Sequence, residues 1–100
     1  MIKIPQRFIL GGRDWTVEVH DVIDNEPELY GDCDSMECII RLKRGGMDVM
    51  QHTFYHELTH AICFTLGWKK FNEDEDKVDT LAGLFYQYLK TRKGQGQGKT

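Results

Sequence analysis

Two prolines in 100 residues, three cysteines, no apolar run beyond a few residues and no surplus of positive charge define what this sequence does without. With 40% hydrophobic and 29% charged residues, the scarcity of proline excludes a disordered chain and predicts one compact domain. A transmembrane helix needs roughly 20 apolar residues in a row, so none is expected. In MIKIPQRFIL, Lys3, Pro5 and Arg7 interrupt any signal-peptide apolar region, and secretion is not expected. Cys33, Cys38 and Cys63 leave one thiol over, which argues against a disulfide framework and for a cytoplasmic protein. A net charge of -3 gives no basic footprint for nucleic acid, and only the short stretch 90–100 is rich in Lys and Arg.

What is present reads first as sheet. Trp15, Val17, Val19 and Ile23 alternate with Thr16, Glu18 and His20, which predicts a half-buried strand over 15–23. RFIL before it, followed by Gly11-Gly12-Arg13-Asp14, predicts a first strand and a hairpin turn. Residues 24–36 are polar, with Pro27 and Gly31, and read as a loop holding at most a short strand near Leu29 and Tyr30. CIIRLKR, 38–44, reads as another strand, and its charges at Arg41 and Lys43 suit a sheet edge.

From Asp48 the period becomes helical. Asp48 and Gln51 have the form of a capping box, and Gly67 is placed to end the helix in a left-handed conformation. Residues 49–66 would span about 27 Å. A second helix is expected after Asn72, with Glu73, Asp74, Glu75 and Asp76 in its first turn. Its apolar stripe is Val78, Leu81, Ala82, Phe85 and Leu89, and Lys90, Arg92 and Lys93 close it. The expected class is α+β, a small antiparallel or mixed sheet packed on two helices, in a single domain over 1–93 with a flexible tail, 94–100.

The first helix carries His56-Glu57-Leu58-Thr59-His60, a complete H-E-x-x-H. Histidines four residues apart project from one face, about 6 Å apart along the axis, so both imidazoles reach one zinc ion. Glu57 lies about 100° further round, where its carboxylate can act as general base on a water at the metal. As ordinary surface histidines, His56 and His60 would make the motif's position a coincidence: it sits mid-helix, with Phe54, Leu58, Ala61 and Ile62 available for the core.

A catalytic zinc site needs a third protein ligand and an open position. No histidine follows His60, and His52, about 12 Å from His60 along the helix, reads as pocket rim or surface. A carboxylate from the second helix is left. Glu75 shares a face with Val78, Asp79 and Ala82 and is the leading candidate, with Glu73 and Asp76 as alternatives. Asn72-x-x-Glu75 also has the form of a capping box, which would fold Glu75 back on its own helix. Asp79, one turn on, is placed to accept a hydrogen bond from a ligand histidine. Tyr30, Tyr55, His20 and His52 are candidate donors to a developing oxyanion. In a rival reading the metal is a structural staple in an inactive interaction module, with Cys33 and Cys38 among its ligands.

HELTHAI with the downstream NEDEDKVDTLAGLF resembles a zincin metallopeptidase of the gluzincin type. More narrowly, Thr53 to Leu89 is similar to the small bacterial and phage-borne proteins of the ImmA/IrrE kind. The resemblance implies a minimal zincin-like fold in which His56, His60 and Glu75 hold Zn2+, Glu57 is the general base and Asp79 supports a ligand. It also implies a peptide or protein substrate, with a DNA-binding repressor as the candidate target and no nucleic acid held by the protein itself. The sequence departs from thermolysin-like enzymes in the 14 residues between His60 and Glu75, a shorter connection. With no second lobe in view, the expected cleft is shallow or completed by a partner.

Overall fold

The structure, a computed structural model, describes residues 3–95. Strands β1 (Arg7–Leu10), β2 (Arg13–His20), β3 (Gly31–Asp34) and β4 (Ile39–Lys43) form one mixed sheet in the order β1-β2-β4-β3. Helices α1 (Met47–Leu66), α2 (Lys69–Glu73) and α3 (Glu75–Thr91) follow, so the class is α+β, as the sequence implied, with one short helix more than expected. The expected tail lies outside the described residues from residue 96 onward. No helix among the described residues is long and apolar enough to cross a membrane.

Gly11 and Gly12 take φ of 59° and 79° between the paired ends Leu10 and Arg13, and two consecutive left-handed residues are what a tight hairpin of native twist requires. β2 stops at His20, short of the span expected from alternation, although Ile23 is buried and bridges to Glu26. β4 lies parallel to β2 and antiparallel to β3, which makes it an interior strand and corrects its expected edge position. Its charges mark an open face instead. Arg41 lies across from Glu18 and Asp32 in the neighbouring strands and pairs with Asp32 at 3.3 Å and Asp34 at 3.7 Å. The edge strands are β1 and, beside β4, β3, which lies within the segment expected to be loop and just beyond Leu29 and Tyr30.

On the other face, Trp15, Ile40 and Leu42 are fully buried against Met50, Phe54 and Ala61 of α1. Phe8 joins them, stacked on Trp15 at 6.0 Å and edge-on to Phe54 at 6.1 Å. Full burial of side chains this large stabilises the fold by about 1.5 to 3 kcal/mol each, and this contact fixes α1 across the sheet.

α1 begins at Gly46 without a side-chain cap, so the expected Asp48 capping box is absent. Asp48 instead accepts hydrogen bonds from Tyr86 Oη at 3.2 Å and Lys90 Nζ at 3.1 Å, tying the start of α1 to the end of α3. Gly67 ends α1 as expected, at φ 74°, with the Trp68 N–H donating to the Cys63 carbonyl at 2.9 Å. α3 is capped by Asp74, whose carboxylate accepts from the Lys77 N–H, and not by Asn72. Val78 and Ala82 pack inward, but Leu81 and Phe85 are exposed. The expected five-residue stripe is narrower because, among the described residues, α1 is the only long helix against α3 and none covers its other side.

Candidate metal centre

The antiparallel pairing of α1 and α3 brings the second turn of the H-E-x-x-H motif to the start of α3. Glu75, the first residue of α3, turns its carboxylate to both histidines: Oε1 is 3.2 Å from His56 Nε2 and Oε2 is 3.2 Å from His60 Nε2. Because Asp74 is the cap, Glu75 is released from the capping-box role that competed for it. Glu73 pairs with Lys69 in α2 at 3.2 Å, and Asp76 faces away, lining a groove with Phe71 and Leu84, so neither alternative reaches the histidines.

The outer nitrogens are also held. His56 Nδ1 lies 3.1 Å from Asp79 Oδ1, the arrangement expected of Asp79, and His60 Nδ1 meets Asn72 Oδ1. An acceptor at Nδ1 draws the ring proton there and leaves the Nε2 lone pair facing Glu75. Asn72 was legible only as a helix cap, and its sequence position gave no sign that α2 would aim it at His60.

This donor set fits a divalent ion. One atom from each of His56, His60 and Glu75 lies within 4.8 Å of the others, and among the described residues this group could hold a metal. The Nε2 atoms of His56 and His60 each lie 3.2 Å from a Glu75 oxygen, Oε1 for one and Oε2 for the other, so the three side chains converge on one place. Two imidazoles and one carboxylate leave a fourth position, as in catalytic sites.

Glu57 is buried beside the group. Burial pushes its carboxyl up to about 7, with Asp32 and Glu75 adding to the rise and His56 and His60 opposing it. That places it near neutrality, where a group can both take and return a proton. Gly31, in β3 where a loop is expected, packs against Glu57. A Cβ there would lie 2.5 Å from Thr53 Cγ2, 3.0 Å from the Arg41 carbonyl and 3.4 Å from Glu57 Cγ, so only glycine lets β3 pass this close to α1.

Two openings flank His56 and Glu57 along β3. One, about 290 Å³, is walled by Leu29, Tyr30 and Gly31 opposite His52, Thr53 and Asp79. The other, about 410 Å³, extends past Cys33 and Ser35 toward Asn72 and Glu75. His52 is thus at the rim, as expected, stacked on Tyr86 at 5.6 Å. Exposed Tyr30 lines the same opening. Tyr55 packs between Phe54 and Tyr86, and burial raises its hydroxyl pKa. His20 bonds to Glu18 at 2.8 Å on the solvent face of the sheet, away from the cleft. Cys33 lines the second opening, with burial pushing its thiol up to about 12, and Cys38 is buried in the core; the group that could hold a metal among the described residues is His56, His60 and Glu75, without either cysteine.

Set beside known proteins, the chain matches no family model, no curated protein and no solved structure, so its functional reading stands on this geometry and on the motif.

Proposed function

We propose that this chain is a zinc-dependent metallopeptidase of minimal zincin type, with His56, His60 and Glu75 as ligands and Glu57 as general base. The observation that carries the reading is the double anchoring of the histidines: Asp79 and Asn72 hold the two Nδ1 atoms while both Nε2 atoms face one carboxylate. A pair of surface histidines has no need of such support, and a closed structural site has no need of a buried carboxyl beside its ligands.

Zinc held by His56, His60 and Glu75 would supply a water of pKa about 7 and a Lewis acid for a carbonyl. Glu57, buried beside those ligands, would hold the proton of an attacking water and deliver it to the leaving amine. Asp79 and Asn72 keep the imidazoles in the tautomer that presents Nε2. The substrate lies extended along β3, the free edge beside Glu57, where backbone hydrogen bonds hold it with little demand on its sequence. β4, with a neighbour on each side, offers no free edge. A DNA-binding repressor is the substrate that the family resemblance favours.

The test is elemental analysis and proteolysis in parallel on wild type, His60→Ala, Glu75→Ala and Glu57→Gln. The expected result is one zinc per chain in wild type and in Glu57→Gln, none in the other two, and repressor or casein cleavage in wild type alone. A wild type that takes up no zinc sinks the metal reading, whereas zinc retained with no cleavage of any substrate leaves an inert, metal-stapled module.

A further inference from the structure

α3 has two working faces. Val78 and Ala82 pack toward α1 with Glu75 and Asp79 beside them, while Leu81, Leu84, Phe85 and Tyr88 occupy an arc of about 100° on another side. No described element covers that arc. It runs into a groove of about 340 Å³ lined by Phe71, Lys77, Leu81 and Leu84, and Phe71 continues it to Trp68, 6.1 Å away.

We infer that this face is a self-association surface, on which two copies of the chain pack α3 against α3, antiparallel, about a two-fold axis near Gly83. The argument for a second copy is charge. Apart from Glu75, which is turned to the histidines, the start of α3 carries Asp74 and Asp76 and its end carries Lys90, Arg92 and Lys93. A parallel pairing sets like charges side by side, whereas an antiparallel one sets each acidic start against the basic end of the other copy. Lys90 is already engaged by Asp48, which leaves Arg92 and Lys93 for this contact.

The apolar positions obey the same symmetry. Reflected through residue 83, Asp74 meets the partner's Arg92, Leu81 meets the partner's Phe85, and Lys77 comes within one residue of the partner's Tyr88. A face that complements itself in this way is what an isologous dimer requires.

Area agrees. Trp68, Leu81, Leu84, Phe85 and Tyr88 are 37% to 62% exposed. At 150 to 250 Å² for each aromatic side chain and somewhat less for leucine, that is roughly 500 Å² of apolar surface. A standard interface covers about 800 Å² per partner, so this surface would form its apolar core with a polar rim around it. The metal ligands face α1, so the inference does not depend on the metallopeptidase reading.

Sedimentation velocity on the full chain, across a wide range of concentration, should give a species of twice 11.7 kDa. Leu84→Glu, at an exposed position that leaves the fold intact by circular dichroism, should raise the dimer dissociation constant by about 100-fold, since each dimer loses two contacts. A wild type of monomer mass at every concentration overturns the inference, and so does a Leu84→Glu chain that dimerises as before. Cross-linking fixes the direction. A mixture of Lys77→Cys and Tyr88→Cys chains should form the mixed disulfide under mild oxidation. Each variant alone should not, because like positions stand about 15 to 18 Å apart along antiparallel helices, beyond the reach of a disulfide. Homodisulfides in preference to the mixed species refute the antiparallel arrangement.

Discussion

Replacing Glu57 by glutamine should make the metal-free protein more stable above neutral pH while leaving it unable to act as a base. Burial raises the carboxyl of Glu57 from 4.5 to about 7. The folded state therefore holds a proton between those values that the unfolded state has already released. Stability from this source is fully present below about 4.5 and is lost as pH rises through about 7, the reverse of a salt-bridged carboxylate. A rise of that size corresponds to about 3 kcal/mol of differential stability, as an upper figure for a group whose neighbours relax when it ionises. Glutamine keeps the size and cannot ionise, so its stability should show no such step. Urea unfolding in EDTA at pH 5 and pH 8 measures the effect. The stability of Glu57→Gln minus that of wild type should grow by about 2 to 3 kcal/mol between the two, roughly 10 to 20 °C in melting temperature for a domain this size. With zinc present the difference should shrink, because a cation next to Glu57 favours its charged form. Wild type and Glu57→Gln running parallel from pH 5 to pH 8 would show that this carboxyl is not held in a poorly solvated site.

Three other outcomes follow from the geometry. Asn72→Ala and Asp79→Ala should each weaken zinc binding by about 10- to 100-fold with the three ligands intact, read by competition with a chromophoric chelator, and unchanged affinity in both would remove their orienting role. Gly31→Ala should cost about 1 to 3 kcal/mol by forcing β3 off α1, and Thr53→Ser should recover part of it because Thr53 Cγ2 is the nearest obstacle; a variant that melts like wild type refutes the close approach. Zinc at about 100 times its dissociation constant should stabilise wild type by about 2.7 kcal/mol in thermal melts and leave His56→Ala unmoved.

The placement of His56, Glu57 and His60 was legible in the sequence because helical spacing alone puts the two histidines on one face with Glu57 about 100° further round. Glu75 and Asp79 were legible for the same reason, through their phase with Val78 and Ala82. What escaped depends on contacts between elements. Asn72 reaches His60 only because α2 intervenes before α3, and nothing local distinguishes it from a cap. Gly31 looked like loop punctuation, since a close approach has no signature except the neighbour approached. Charges on β4 marked a solvated face, which alternation cannot tell from an edge. Leu81 and Phe85 fit the helical period of a buried stripe, but periodicity shows that a face is apolar and not whether this chain supplies the cover.

The anchoring of α1 to α3 through Asp48, Tyr86 and Lys90 sits at the opposite end of the helix pair from His60 and Glu75. The two helices are therefore clasped at one end by the protein itself and, at the other, by whatever binds between the histidines and the carboxylate. An ion there acts as a cross-link that closes the chain from residue 60 to residue 75, and closing a loop of about 15 residues removes roughly 3 kcal/mol of unfolded-state entropy in the manner of a disulfide. The short helix α2 lies inside that loop and contributes no fully buried side chain of its own. Its order is thereby linked to occupancy, so amide exchange over residues 67–74 should slow on zinc addition more than exchange in the sheet. Equal slowing throughout would mean that the clasp at Asp48 already suffices.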